Sequence, residues 1–263
     1  KSAALLEAGS VGESSTGGST GNLYATTSMG LHAVRRKWDD ETVARFVRCR
    51  AAALDGVERR IQRYGFKCDF ARRPLHFCTA GLDDDPSMPL HEEHDASLAG
   101  GLRAHIIEQV TGFPAPIRRA LRIENQAQYN PLRYAKTLAE AASTRGCRLF
   151  EGSPVTDVDF RRNRVSTDSG AVTAEFIIFA THTPKGVNLL QAQMETLREH
   201  GIAAPLPDTV ADGIFWLFDG FHSVRTYRNG GQDHLIVVGE KHKTGHGGAD
   251  HHDKLEQYAR TNF

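Results

Sequence analysis

The stretch from Ala3 to Leu23, AALLEAGSVGESSTGGSTGNL, constrains the fold more than any other part of the chain. Four apolar residues, Ala3 to Leu6, run into Glu7, and a loop of small residues follows from Ser14 to Gly21. An apolar run this short, without polar alternation, is expected to be a strand buried on both faces, as in a parallel sheet under helices. An acid at the end of such a strand can accept both hydroxyls of a ribose. The loop behind it offers backbone N–H groups that can line a pyrophosphate or a flat ring. A buried strand closed by a flexible turn fits the same residues, so the stretch alone permits a nucleotide without requiring one. Ser14, Ser15 and Ser19 read as loop residues rather than nucleophiles.

A chain of 263 residues can build one large domain or two modest ones with real cores. Its 32 basic and 32 acidic side chains balance, so no basic field attracts nucleic acid or anionic lipid, and neither is an expected partner. No apolar run approaches the ~20 residues that cross a bilayer. Cys49, Cys68, Cys78 and Cys147 are scattered without metal-ligand spacing and read as thiols of a reducing compartment, which makes the cytoplasm the expected location.

Periodicity places the elements. From Asp39 to Tyr64, Val43, Phe46, Val47, Leu54, Val57, Ile61 and Tyr64 form one apolar stripe, with Asp39 or Asp40 as cap and Gly65 as terminator. Cys68 to Ala80 is expected to be extended, Asp83 to Pro89 a turn-rich connection, and Leu90 to Leu98 a short helix ended by Gly100 and Gly101. Strands are expected near Arg103 to Val110 and Ala120 to Ile123. Asn130-Pro131 starts a helix that runs to about Thr144 and feeds a strand at Cys147 to Phe150, a βαβ-type crossover. A meander over Val155 to Phe160, Arg164 to Thr167 and Ala171 to Ala174 leads into Glu175 to Ala180, EFIIFA, expected to be a second doubly buried strand. After a polar segment from Gln191 to Pro207, alternation at Val210 to Phe218, Ser223 to Arg228 and Leu235 to Gly239 predicts an antiparallel sheet, and His251 to Phe263 a helix. The histidines His242, His246, His251 and His252 lack a helical pair or cysteine partners, so a polar loop leading into a helix is expected rather than a metal site.

LLEAGSVGESSTGGSTGNL resembles the second strand and following loop of the D-amino-acid-oxidase-like FAD-dependent oxidoreductases. NQAQYNPLRY at Asn125 to Tyr134, FATHTP at Phe179 to Pro184 and GEKHKTG at Gly239 to Gly245 are most similar to the branch whose longer members carry a C-terminal Rieske iron–sulfur domain. The resemblance implies an α/β fold: a doubly wound FAD-binding sheet, incomplete at its N-terminus, beside a mixed or antiparallel substrate domain. Residues 1–67 and 125–186 would form the first, residues 68–124 and 187–263 the second. It implies that Glu7 holds the ribose of FAD, that Ser15, Thr16, Gly17, Ser19 and Thr20 pass the pyrophosphate and flavin, and that Val155 pairs with the adenine through its backbone. Thr181 and His182 would line the cofactor. His242 and Lys243 would lie at its catalytic face, where a cation can stabilise negative charge on a reduced ring; a plain loop lysine fits Lys243 as well.

The implied reaction oxidises a C–N bond of a small amine or amino acid by hydride transfer to flavin. The electron acceptor is not legible. The family's first strand and glycine turn would precede Lys1 and a closing segment would follow Phe263, so the chain reads as the interior of a longer protein, inactive on its own. No Cys-x-His or Cys-x-x-His pair is present, so an iron–sulfur cluster would have to come from a further C-terminal domain. A non-catalytic nucleotide-binding module and a nicotinamide-dependent dehydrogenase are the rival readings.

Overall fold

The computed structural model describes residues 2–79, 88–114, 117–182, 194–206, 210–218, 220–229, 231–246, 248 and 250–263. The chain divides into two compact units. The smaller comprises Lys1–Ser19, Phe66–Cys68 and Pro131–Thr196; the larger comprises Thr20–Gly65, Asp69–Asn130 and Leu197–Phe263. The contact division thus places the long helix before Gly65 with the larger unit.

In the smaller unit, β1 (Ala3–Leu6) pairs in parallel with β6 (Cys147–Phe150), in register from Ala3 opposite Cys147 to Leu6 opposite Phe150. Helix α4 (Pro131–Ser143) leads into β6, as the Asn-Pro start signal predicts. The expected meander is present as β7 (Val155–Asp159), β8 (Arg164–Thr167) and β9 (Gly170–Thr173), an antiparallel three-stranded sheet. Two expectations fail here. Strand β1 is not buried on both faces: Leu5 is 43% exposed. EFIIFA forms no strand, and Phe176 and Ile178 are 72% and 88% exposed. Both runs carry the composition of a buried strand, but among the described residues β1 pairs only with β6, and no strand lies beside 175–180 to complete a ladder.

The larger unit holds an eight-stranded mixed sheet ordered β10-β13-β12-β11-β3-β5-β2, with β4 pairing β5. Its strands are β2 (Asn22–Leu23), β3 (Ala71–Thr79), β4 (Ala104–Ile107), β5 (Arg119–Gln128), β10 (Leu197–Pro205), β11 (Ile214–Leu217), β12 (His222–Asn229) and β13 (Gln232–Lys243). The polar segment hid β10, whose residues alternate too weakly to signal a strand and which is held by pairing to β13. Residues 80–87, including most of the acidic connection, lie outside the described residues. A short helix α1 (Leu31–Arg35) was also not legible.

Helix α2 (Asp40–Tyr64) follows its sequence signals closely. The Asp39 side chain accepts from Thr42 N at 2.8 Å, and Gly65, at φ 66°, closes the C-terminus with its N–H on Ile61 O. Its buried face, Val43, Val47 and Leu54, includes two residues that pack with Leu31, Ala25 and Ala96, the last on α3 (Leu90–Ala99). One face of the sheet carries Phe215, Leu217, Val224 and Val237 under Leu255 of α5 (His251–Asn262). The other face carries Leu75, Phe77, Leu121, Ile123 and Ile214 against Leu90.

Pro74 sets an irregularity that matters for the site. It has no N–H to give β5, and there the register shifts: Arg73 faces Gln126 while Leu75 faces Ile123. Two residues of β5, Glu124 and Asn125, oppose one of β3, and Asn125 takes φ 61°. The sheet also curls. Although β11 and β3 separate β12 from β5, Gln128 Nε2 donates to Thr226 O at 3.1 Å and Asn22 Nδ2 to Ser223 Oγ at 3.3 Å. No helix among the described residues is long and apolar enough to cross a membrane.

Candidate functional site

The candidate residues fall in both units. In the smaller, β1 ends at Leu6, and Glu7 N donates to Phe150 O at 2.9 Å. The Glu7 carboxylate turns back on its own loop: Oε1 accepts from Gly9 N at 3.0 Å, and Oε2 has no hydrogen bond among the described residues. Val11 N donates to Glu151 Oε1 at 2.6 Å, and Gly152 N to Gly9 O at 2.8 Å, so the loops after β1 and β6 hold one another. Ser153 N donates to Glu7 O at 2.8 Å, which brings the start of β7, and with it Val155, two residues from the backbone of Glu7.

Residues 11–18 form consecutive turns carrying Ser15, Thr16 and Gly17. Two of the glycines serve packing within the turn. A β carbon on Gly12 (φ 80°) would lie 3.0 Å from Leu132 of α4, and one on Gly17 would overlap the Gly12 carbonyl. Gly18 differs: a β carbon there meets nothing within 4 Å, while its own N–H donates to Ser14 O at 3.4 Å. An acid with one oxygen uncommitted among the described residues, followed by a turn of small residues, suits the ribose and pyrophosphate of a nucleotide such as FAD. Ser19 belongs to Gly17-Gly18-Ser19-Thr20-Gly21, which has the spelling of a nucleophile elbow. An elbow requires a strand-to-helix turn, and this segment runs from turns into β2 instead. Thr20 belongs to the larger unit. Thr181 and His182 lie in the irregular segment after β9, His182 at φ 62°.

His242 and Lys243 end β13 in the larger unit. Lys243 is exposed. The His242 ring stacks on His251 of α5 at 4.3 Å with planes 11° apart, and His200 of β10 lies 5.3 Å from His242 and 5.7 Å from His251. Glu240 fixes two of these rings: its O lies 3.0 Å from His242 Nδ1 and its Oε2 3.3 Å from His251 Nδ1. Metal ligands converge their lone pairs on one point, whereas these rings lie face to face. His200 was not legible as part of this group, because the strand that carries it was not.

The larger unit also contains a polar row that the sequence did not single out. Arg225 of β12 is 4% exposed, and burial draws its pKa down to about 10. Its Nη2 donates to Tyr129 O at 3.3 Å, while its Nε has no partner among the described residues. Tyr227, two residues on, donates to Asp69 Oδ2 at 2.8 Å and receives from Asn130 Nδ2 at 3.4 Å. The segment NQAQYN therefore runs along β12: Gln128, Tyr129 and Asn130 each contact it. A cleft of about 510 Å³ lies between α2, the end of α3 and the bulge in β5. Its Arg72 is already held by Asp55, Glu58 and Asn125 O, and no unpartnered buried side-chain atom belongs to its lining.

Comparison with known proteins places this geometry. The model of the DAO family, FAD dependent oxidoreductase, matches residues 1–263. The chain belongs to this family. It is 25% identical over 264 residues to the Rieske 2Fe–2S iron–sulfur protein YhfW of Bacillus subtilis, covering 98% of this chain and 51% of that protein. It is 23% identical over 229 residues to the oxidoreductase OrdL of Haemophilus influenzae, covering 81% of this chain and 52% of that one. The chain thus spans about half the length of these relatives. Among solved structures, glycine oxidase from Geobacillus kaustophilus superposes with a TM-score of 0.71 at 15% identity, over 98% of this chain and 70% of that one. L-proline dehydrogenase from P. horikoshii superposes with a TM-score of 0.72 at 14% identity, over all of this chain and 70% of that one. At such identities these structures establish the fold, the two-domain arrangement of FAD-dependent family members.

Proposed function

We propose that this chain contributes both the cofactor-holding and the substrate-holding parts of an enzyme that oxidises a C–N bond of a small amine or amino acid. The observation that carries the reading is the end of β1, where Glu7 keeps one carboxylate oxygen uncommitted among the described residues ahead of the small-residue turn 11–18. Similarity to a glycine oxidase and an L-proline dehydrogenase supports the choice of substrate class. In this reading the smaller unit holds the dinucleotide: Glu7 takes the ribose hydroxyls, the turn through Ser15, Thr16 and Gly17 with Ser19 and Thr20 passes the pyrophosphate, Val155 meets the adenine, and Thr181 and His182 line the ring. FAD, when bound, supplies the two-electron acceptor. The chain's own residues bind, orient and exclude water, and His242 and Lys243 are the candidate charges toward the reacting end. The larger unit takes the substrate.

The test is spectroscopic. The complete gene product, purified with FAD, should carry flavin absorbance that bleaches when a substrate amine is added without oxygen. Bound flavin that no amine or amino acid bleaches would reduce the protein to a nucleotide-binding module. Iron analysis of the same sample separates two fates for the electrons, an iron–sulfur domain of the kind in the name of YhfW, or oxygen or a protein partner.

A further inference from the structure

Four histidine rings gather where α5 meets the sheet, and one irregularity of β13 brings them together. Glu240 takes φ 55°, and across the ladder Arg198 faces His242 while His200 faces Gly239. Two residues of β13, Glu240 and Lys241, therefore oppose Glu199 alone. This bulge turns the His242 ring to the side of the sheet on which His200 and His251 of α5 lie. Gly239 makes room for the fourth ring, because a β carbon there would collide with His222. His222 in turn lies flat on Tyr258 of α5 at 3.6 Å with planes 6° apart. Helix α5 thus rests on the sheet through two ring stacks, His242 on His251 and His222 on Tyr258, with Leu255 fully buried and Phe263 edge-on to Phe113 at 5.4 Å.

Histidine is the side chain whose charge changes between about pH 5 and 8. Neutral, these rings stack as flat rings do; protonated, neighbours 4.3 to 5.7 Å apart repel one another. Among the described residues Glu240 is the carboxylate that touches the stack, through Oε2 on His251, and it offsets one charge. The other charged groups supply no second anion to the rings. On α5, Asp250 is held by Lys254 at 2.7 Å, Glu256 by Arg260 at 2.7 Å, and His252 and Asp253 are exposed. On β10, Arg198 lies opposite His242, and Glu199 acts on Tyr24 instead. On β13, Lys241 and Lys243 flank His242. His222 contributes differently: burial lowers its pKa, so it refuses a proton while α5 covers it and takes one when α5 leaves. The released state therefore binds more protons than the docked one, and its population rises as pH falls. We propose that α5 is a pH-released clasp: docked on β10 and β13 near neutrality, it leaves them on mild acidification and frees the end of β13 that carries His242 and Lys243. The clasp itself stands without the oxidoreductase reading; that its release acts on catalysis rests on that reading.

The experiment follows hydrogen–deuterium exchange of the complete protein from about pH 8 to about pH 5, across the range in which histidine titrates, corrected for the pH dependence of the exchange chemistry. Amides of α5 should lose protection roughly tenfold or more relative to those of β5 and α2, more steeply than a single proton allows. E240Q removes the offsetting carboxylate and should move the midpoint up by about one pH unit, whereas H200Q removes one repelling charge and should move it down. Purely structural roles would move both variants the same way, and the wild-type steepness serves if a variant fails to fold. The proposal is overturned if α5 keeps its protection relative to β5 throughout, if β5 opens with it, if the loss follows one proton, or if E240Q and H200Q fail to shift the midpoint in opposite directions. An E240Q-sensitive release in a protein that holds no flavin would keep the clasp and defeat the oxidoreductase reading. Flavin bleached by an amine in a protein whose α5 stays docked would do the reverse. Where both hold, bleaching should slow over the same pH range and follow the E240Q shift; bleaching indifferent to that midpoint would sever the clasp from catalysis.

Discussion

Glu7 and His76 show how differently single residues can be read. Glu7 is legible because a charged group after an apolar run has few reasons to be there. If its free oxygen takes the ribose, E7A should lose about 1.5–3 kcal/mol of FAD affinity, the range for hydrogen bonds to a charged group. G17V should be as harmful, since its side chain would collide with the Gly12 backbone and break the turn. Flavin titration of both variants checks this, and unchanged affinity in either would move the site elsewhere. His76 is silent in the sequence and decisive in the structure. It is 2% exposed, stacked on Phe215 at 4.7 Å with planes 8° apart, and neither ring nitrogen has a partner among the described residues. Burial first, then the charge of Arg122, lowers its pKa from 6.5 to about 4. Between those values the unfolded chain binds a proton that the folded chain refuses, so His76 makes stability fall as pH drops from about 6.5 to about 4. The loss reaches roughly 3 kcal/mol across the window. Burial moves His222 in the same direction. In urea titrations at pH 7 and pH 4.5, H76L should lose less stability on acidification than the wild type by about 2–3 kcal/mol; an equal loss would mean the ring is protonated in the fold.

At the scale of elements, legibility followed how local the determinants are. Helix α2 carries its cap, stripe and terminator within its own residues and was read to within one position. The two apolar runs, Ala3 to Leu6 and Glu175 to Ala180, were read for burial, which depends on neighbours that composition does not name. Strand β12 was read as the alternating stretch Ser223 to Arg228 and lies there, at His222–Asn229, but its burial was not legible. His222 to Thr226 are all buried, so its inward face has no period-two signature, and Arg225 inside it gave no sign of its partners. The bulge at Asn125 was legible only in retrospect, through Pro74 across the ladder. Two glycines of one helix test the local argument. Gly56 lies inside α2 with nothing nearer to an added β carbon than Arg59 at 3.9 Å, whereas Gly65 ends the helix at φ 66°. G56A should stabilise by roughly 0.5–1 kcal/mol through helix propensity, and G65A should destabilise by about 1 kcal/mol because its backbone must stay left-handed. Denaturant midpoints that move in the same direction would show that tertiary packing, not local conformation, governs both ends of α2.

At the scale of the whole molecule, the two units differ in what holds them together. Every residue of the three buried clusters belongs to the larger unit. In the smaller unit, Phe66, Cys68 and Pro131 are the buried apolar side chains among the described residues, while Leu5, Phe150, Phe176 and Ile178 are exposed. Hydrophobic burial is the main favourable term in folding, so the smaller unit has less with which to oppose chain entropy. A ligand that binds only its folded form then matters more, contributing about 2.7 kcal/mol at a hundred times its dissociation constant. Hydrogen–deuterium exchange should therefore find the amides of β6 exchanging well before those of β5, and FAD should slow β6 selectively. E7A should abolish that protection while leaving β5 unchanged. Equal protection of the two strands without FAD would mean that the smaller unit is stable on its own. Protection by FAD confined to β5 would assign the nucleotide to the larger unit and reverse the roles proposed for the two.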